Sequence, residues 1–207
     1  MSSRPEGGAG AAQRLDTERL RLEIARPGHE AALARFFSEN FDAHLARWSP
    51  PPPAGGHTEA WWRDRLPVFQ QEFEAGLAAR WIAFAREGDG TEAIATANVT
   101  QVVRGPFQAA FLGYQVAARH EGKGLMSEAL GAVVEHAFVA MRLHRLMANH
   151  VPENTRSRRV LERLGFVTEG LARDYLYIDG AWRDHVLTSL TNPRFDPAWL
   201  APAPPAA

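Results

Sequence analysis

The chain of 207 residues contains no cysteine. Disulfide bonds, thiolate metal ligands and a cysteine-linked acyl-enzyme are therefore excluded. A formal net charge of −1 at pH 7 gives the protein no overall field that would attract nucleic acid or an anionic membrane. We therefore predict no direct nucleic-acid partner. The histidines show no paired spacing with acidic or thiol partners, so we also predict no metal site.

Long apolar runs are also missing. No stretch approaches the roughly 18 apolar residues of a membrane span, and the first ten residues lack the apolar core of a signal peptide. We therefore expect a cytoplasmic protein without a membrane partner. The apolar fraction of 45% is enough to build one hydrophobic core.

Composition divides the chain into one folded domain and two tails. Residues 1–13 are rich in Gly, Ala and Ser, and residues 196–207 are rich in Pro and Ala. Neither segment buries enough apolar surface to order itself, so we expect both ends to be flexible. Residues 14–195 are expected to form a single domain, and no internal repeat is evident in them.

Local signals predict an alternation of helices and strands. One strand ends at Ile24, a helix follows over 30–41, and a second helix begins near Thr58, which is suited to be its N-cap. A turn is expected at 88–90. Four further stretches are predicted strands: 80–86, 92–102, 109–116 and 144–151. Periodicity alone indicates only a mixed α/β fold.

The most informative segment lies between Arg119 and Gly124, after an apolar strand and before a helical pattern. That helix begins at Leu125, and its apolar residues recur every three or four positions on one buried face. Gly122 and Gly124 let the backbone approach an anion closely, and the free N–H groups of the helix start favour a pyrophosphate. A simple tight turn into a core helix has the same pattern.

Two nucleotide-binding motifs do not match this segment. The P-loop needs Gly-x-x-x-x-Gly-Lys-Ser/Thr, and the dinucleotide fingerprint needs a glycine where this chain has Ser127. The segment instead resembles the Arg/Gln-x-x-Gly-x-Gly/Ala loop of the GCN5-related N-acetyltransferases (GNAT), which binds acetyl-coenzyme A (acetyl-CoA). A later stretch, Asn154 to Ser157 followed by Gly165-Phe166, is similar to a second segment of that family.

Further similarity is to the RimJ/RimL group of ribosomal-protein-alanine N-acetyltransferases, and most of all to its RimJ type. Five runs carry it: 17–22, 112–114, 122–126, 164–170 and 179–188. The resemblance covers about residues 14–195. It implies a single GNAT-type α/β domain, with a mixed, mostly antiparallel sheet of six to seven strands, a splayed strand pair and flanking helices.

The resemblance also implies acetyl-CoA as co-substrate, without a metal. A backbone N–H near Gln115 or Val116 would stabilise the oxyanion, and Asn154 and Ser157 would contact the pantetheine arm. Lys123, the only lysine of the chain, either contacts phosphate or faces solvent. The full set of implied cofactor contacts is Gln115, Val116, Arg119, Glu121, Gly122, Lys123, Gly124, Leu125, Met126, Asn154 and Ser157.

Two residues take catalytic roles by the same resemblance. Glu169 occupies the position of a general base, and Ser157 occupies that of a general acid. Many acetyltransferases instead use a tyrosine as the general acid, but this chain has Leu161 at that position. A solvated strand carboxylate and a helix-start hydroxyl are the alternative interpretations of the two. Three other residues are expected to be packing or hydrogen-bond network residues rather than catalysts: Tyr114, Trp182 and His185.

The chemistry tolerates an N-terminal acceptor. An α-amine with a pKa of about 7.7 to 8.0 is roughly a tenth neutral at pH 7, whereas a lysine amine is neutral only in a few parts per ten thousand. The resemblance implies the N-terminus of a ribosomal protein that begins with Ala or a small residue. The alternatives are acetylation of a small amine, such as an antibiotic or polyamine, and a non-catalytic acyl-CoA-binding interaction protein. A monomer and a homodimer are both compatible with the sequence.

Overall fold

A computed structural model describes residues 13–87 and 90–200. Its strands are β1 (Arg14–Asp16), β2 (Leu20–Ile24), β3 (Ala79–Ala85), β4 (Ala93–Val103), β5 (Ala109–Val116), β6 (Arg145–Met147), β7 (Val167–Ile178) and β8 (Ala181–Thr191). They form one sheet in the order β1-β2-β3-β4-β5-β6-β8-β7. All neighbouring strands are antiparallel except β5 and β6, which run parallel.

Four helices cover the sheet: α1 (Glu30–Asn40), α2 (Glu59–Glu74), α3 (Leu125–Val139) and α4 (Thr155–Arg163). Thr58 is the N-cap of α2, as predicted, and its side chain accepts a hydrogen bond from the Trp61 N–H. The predicted mixed, mostly antiparallel fold is confirmed. The sheet has eight strands instead of the expected six to seven. The expectation was too low because β1, with only three residues, is too short to show a sequence pattern.

The two faces of the sheet carry two separate apolar clusters. Strand β3 shows the alternation that produces them, because Trp81 contributes to one cluster and Ile82 and Phe84 to the other. The first cluster packs under α3, with Leu130 among its fully buried members. The second packs under α1 and α2, with Leu66 at its centre fully buried. Helices on both faces explain why β3 is buried on both sides.

The parallel pair β5 and β6 separates after a few residues. Only Ala109–Phe111 of β5 lies beside Arg145–Met147, and the remainder of β5 has no neighbour on that side. The predicted strand over 144–151 is therefore limited to three residues, with a single further bridge between His150 and Val186. This splay opens the sheet between the C-terminal half of β5 and the segment that follows β6.

Strand β7 is the edge of the sheet, and most of its residues are exposed. Its pairing with β8 shifts in register between Ala172 and Leu176. Asp174 lies in this bulge with a φ of 46°, and its N–H donates to Oδ1 of Asp184 over 3.0 Å. The bulge interrupts the ladder just before the part of β7 that reaches the splayed strands.

Within the segment predicted as a C-terminal tail, Pro197–Leu200 form a 3₁₀ turn, and Trp199 packs on Phe195 with ring centroids 5.4 Å apart. The remainder of that tail, residues 1–12 of the predicted N-terminal tail and the predicted turn residues 88–89 lie outside the described residues. In the ranges 13–87 and 90–200, no helix is long and apolar enough to cross a bilayer.

Candidate active site

A cleft of about 670 Å³ opens where β5 separates from β6. This volume is within the range of small-molecule and cofactor sites. Its walls come from the splayed half of β5, the turn before α3, the first turns of α3 and α4, the β7–β8 hairpin and residues 44–50. The splay therefore brings together most of the chemistry-bearing segments identified in the sequence.

The glycine turn at the mouth of α3 has the geometry of an anion site. Gly124 is the N-cap of α3 with a φ of 77°, and Gly122 has a φ of 73°. Only glycine adopts this conformation without strain. No side chain in the described part of the chain caps the helix, so the N–H groups of its first turn stay available and the positive end of its dipole faces the cleft.

Arg19 holds this turn from outside the cleft. Its Nη1 donates to the Lys123 carbonyl oxygen over 3.0 Å, and its Nε donates to Oε2 of Glu128 over 2.7 Å. The Thr17 hydroxyl donates to the other oxygen of Glu128 over 2.5 Å. Since Glu128 lies in the first turn of α3, these contacts fix the turn and the helix start to the β1–β2 connection.

Two hydroxyl groups meet where β5 and α4 line the cleft. The Tyr114 hydroxyl lies 2.8 Å from Oγ of Ser157, and both residues line the cleft. Asn154 is the N-cap of α4, because its Oδ1 accepts the Ser157 N–H over 3.0 Å. Burial raises the pKa of Tyr114 to about 12, so its phenol stays protonated. Tyr114 therefore takes part in a hydrogen-bond network of the cleft.

The free edge of β5 offers a backbone donor. The Ala117 N–H donates to the Ile94 carbonyl oxygen of β4 over 2.9 Å. Successive N–H groups of a strand point to opposite sides, so the Val116 N–H points away from β4 and into the splay. The side chain of Gln115 donates from Nε2 to the Ser49 hydroxyl over 2.9 Å, and both residues line the cleft.

Four imidazole groups line the cleft, although no motif in the sequence indicates that they meet. His44 and His120 lie near carboxylates, with Nε2 3.4 Å from Glu121 and 3.1 Å from Glu92 respectively. His150 and His185 instead bond to backbone carbonyl groups through Nδ1. Burial lowers the pKa of His185, which is therefore uncharged at neutral pH.

Residues 19–167 match the family model described as an acetyltransferase (GNAT) domain. The chain belongs to the GNAT acetyltransferase family. Among curated GNAT relatives, it is 41% identical over 184 residues to the ribosomal protein uS5-alanine N-acetyltransferase of Escherichia coli K12. That match covers 89% of this chain and 93% of the relative.

Two solved GNAT structures have the same fold. The ribosomal-protein-S5-alanine acetyltransferase from Vibrio fischeri superposes with a TM-score of 0.84 at 33% identity, over 89% of this chain and 99% of the other. Mycobacterium smegmatis RimJ, solved in complex with CoA-disulfide, superposes with a TM-score of 0.75 at 34% identity. This superposition covers 83% of the present chain and 81% of the RimJ chain.

Most of the residues expected to form the GNAT cofactor site line one cleft. They are Gln115, Val116, Glu121, Gly122, Gly124, Leu125, Met126, Asn154 and Ser157. The side chains of Arg119 and Lys123 are not part of the lining. Arg119 forms ion pairs with Glu92 and, over 3.9 Å, with Glu39, so its guanidinium is held outside the cleft.

Glu169, the expected GNAT base, does not lie in this cleft. It forms an ion pair with Arg145 and accepts the Ser189 hydroxyl over 2.8 Å. Ser189 pairs with Met147, and Met147 pairs with Phe111, which is five residues or about 17 Å from Val116 along a strand at 3.3 Å per residue. The structure therefore separates Glu169 from the splay and favours the solvated strand carboxylate.

The reason lies in strand length and register. Residues of β7 reach the cleft only beyond the bulge, where Leu176 and Ile178 are apolar. The Arg145 guanidinium also holds the pKa of the Glu169 carboxyl below its usual value, which makes it a weaker base. In residues 13–87 and 90–200, no three His, Asp or Glu side chains group as metal ligands.

Proposed function

We propose that this protein is a cytoplasmic enzyme that transfers the acetyl group of acetyl-CoA to the N-terminal α-amine of a protein. The acceptor that fits best is a ribosomal protein whose first residue is alanine or another small residue. One observation carries the proposal: the chain matches nearly the full length of an enzyme named for acetylating the alanine of ribosomal protein uS5. The cleft contains the groups that such a transfer needs.

The glycine turn would hold the donor by its pyrophosphate. Gly122 and Gly124 leave space for close approach of phosphate oxygens, and the α3 N-terminus supplies N–H donors and a positive dipole. Arg159 and Arg163 of α4 line the same cleft and add positive charge. The pantetheine arm then extends along the free edge of β5, because Asn154 and Ser157 lie there.

The thioester carbonyl would meet the Val116 N–H. Attack of the amine turns the carbonyl oxygen into an oxyanion, and a backbone donor fixed in advance stabilises that charge without reorganisation. The geometry supports Val116 over Gln115, because the Gln115 N–H points towards β4. Acetyl transfer would be direct within a ternary complex, and the lack of cysteine excludes a cysteine-linked acyl-enzyme.

Ser157 and Tyr114 would serve the leaving thiolate. Ser157 is hydrogen-bonded to Tyr114 and can turn its own hydroxyl hydrogen toward the sulfur. A serine is a weak acid, so its contribution is a hydrogen bond that stabilises the thiolate until a proton arrives. The phenol of Tyr114 stays protonated and keeps Ser157 oriented.

Mass spectrometry of acetyl transfer tests the proposal. Peptides that begin with Ala, Ser or a bulky residue are compared with N-terminally blocked versions and with a panel of small amines. Transfer to free Ala or Ser N-termini that blocking abolishes is the expected result. Transfer only to small amines contradicts the acceptor assignment. Binding of acetyl-CoA without transfer to any acceptor contradicts the enzymatic assignment.

A further inference from the structure

Among the residues that the structure describes, no carboxylate lines the cleft at the splay, whereas imidazoles do. His44 and His120 are paired with Glu121 and Glu92 at the end of the cleft that holds the glycine turn. His150 and His185 lie on the other wall, where β8 meets the segment after β6. An imidazole with a free nitrogen is suited to accept a proton near neutral pH.

The contacts of His185 fix which nitrogen is basic. Its Nδ1 lies 3.1 Å from the Arg183 carbonyl oxygen, and a carbonyl only accepts, so Nδ1 carries the hydrogen. The lone pair is therefore on Nε2. Within residues 13–87 and 90–200, no hydrogen bond involves this Nε2, although His185 is only 3% exposed and lines the cleft. A substrate group is the partner that this geometry leaves room for.

The ring of His185 is also held in place. It packs on the Tyr175 ring with centroids 5.2 Å apart, and the Tyr175 hydroxyl accepts a hydrogen bond from Asn149 Nδ2 over 3.2 Å. Asn149 in turn accepts the Thr188 N–H through Oδ1 over 3.3 Å. His150, by comparison, has one ring hydrogen bond and no aromatic contact among the described residues.

We propose that His185 is the catalytic base of the transfer and takes the proton of the acceptor amine at Nε2. This inference rests on the proposed acetyltransferase function and adds a residue to it. The amine nitrogen forms a bond to the thioester carbon while the C=O π electrons move to oxygen. The N–H proton then passes to Nε2, directly or through one water. Collapse of the oxyanion breaks the C–S bond, and the thiolate leaves with its electron pair and takes up a proton.

The surroundings of His185 set the expected pH dependence. Among its neighbours, His150 and Arg183 disfavour a positive charge on the His185 ring, whereas Asp184 favours one. Tyr175 packs on the ring from β7 as a neutral phenol. Burial is the largest effect and lowers the pKa of His185 below its ordinary value of 6.5. The neutral, proton-accepting form is thus present throughout the neutral range.

Kinetics of His185→Gln and His185→Ala test this assignment. We expect kcat to fall roughly 10²- to 10⁴-fold, the range for loss of a general base, while the Kd of acetyl-CoA changes less than threefold. The acid limb of the wild-type kcat/KM profile that lies below pH 6.5 should disappear. Added imidazole should restore part of the activity of His185→Ala, which a purely structural role would not predict. His144→Gln, a substitution away from the cleft, is the control.

Three results would overturn it. One is a His185→Gln enzyme with kcat within threefold of wild type. A second is a loss confined to acetyl-CoA affinity, and a third is removal of the acid limb by His150→Gln but not by His185→Gln. The assay uses whichever acceptor the wild type acetylates, so transfer only to small amines refutes the N-terminal acceptor while still testing His185. Wild type without any transfer refutes both proposals.

Discussion

The hydroxyl groups of Tyr114 and Ser157 lie 2.8 Å apart and join β5 to α4 across the splay. Tyr114→Phe removes this contact while keeping the ring. We expect kcat to fall about tenfold, because a lost hydrogen bond costs roughly 1 to 1.5 kcal/mol, with little change in the Kd of acetyl-CoA. Steady-state kinetics and calorimetry measure the two. Tyr177→Phe, on an exposed part of β7, is the matched control, and equal kcat values for both variants would remove Tyr114 from the site.

Gly122→Asp should abolish acetyl-CoA binding. The position has a φ of 73°, and a Cβ placed there would meet nothing within 4 Å, so the main effect is a carboxylate at an anion site. Gly105→Asp is a matched control, because Gly105 has a φ of 74° and equal space but lies in the β4–β5 turn. Isothermal calorimetry compares the affinities. Binding by Gly122→Asp as tight as by Gly105→Asp would contradict the assignment of the turn.

Arg19→Ala should loosen the glycine turn from behind. Losing the bonds to the Lys123 carbonyl and Glu128 removes the brace but no cleft residue. We expect the KM for acetyl-CoA to rise about three- to tenfold, corresponding to roughly 1 kcal/mol, and kcat to change little. Arg14→Ala, which removes an exposed pair with Asp16, should leave KM unchanged. A lower kcat at constant KM would show that Arg19 acts elsewhere.

Glu169→Gln should have little effect on turnover. The residue lies outside the cleft, and its pair with Arg145 is partly exposed, which limits its contribution to stability to about 1 kcal/mol or less. We expect kcat within threefold of wild type and a small shift in Tm. A loss of kcat greater than tenfold with unchanged acetyl-CoA affinity would restore Glu169 as the base.

His136 should make the fold less stable in acid. It packs between Phe73 and Trp81, and burial lowers its pKa to about 4. Protonation is therefore easier in the unfolded chain, so stability is lost as pH falls from 6.5 to about 4, up to about 3 kcal/mol. Urea unfolding across this range should show a smaller loss for His136→Phe than for wild type. The partly exposed His144→Phe is the control, and parallel curves for His136→Phe and wild type would refute the effect.

The glycine turn could be predicted because its information is local. Gly122 and Gly124 are required by the backbone conformation, so each can be recognised at its own position. Helix starts such as Thr58 are predictable for the same reason. The resemblance to acetyltransferases then supplied the sheet type that periodicity left open.

Which side chains of the cleft meet could not be predicted, because these contacts depend on the register between distant strands. Tyr114 and Ser157 are 43 residues apart, and only the splay brings them together. The position of Glu169 depended on where β7 begins beside β8 and on a bulge that no sequence pattern signals. The same β7–β8 pairing places His185 at the cleft. A one-residue shift in such a ladder would turn every one of these side chains to the other face.

The bulge around Asp174 protects the protein against aggregation through its edge strand. An edge strand of twelve residues with a free row of N–H and C=O groups is a template on which other chains can add as strands and aggregate. The bulge breaks that row near its middle. The strand is thus long enough to build one wall of the cleft, yet it offers a foreign strand only two short stretches, which discourages fibre growth.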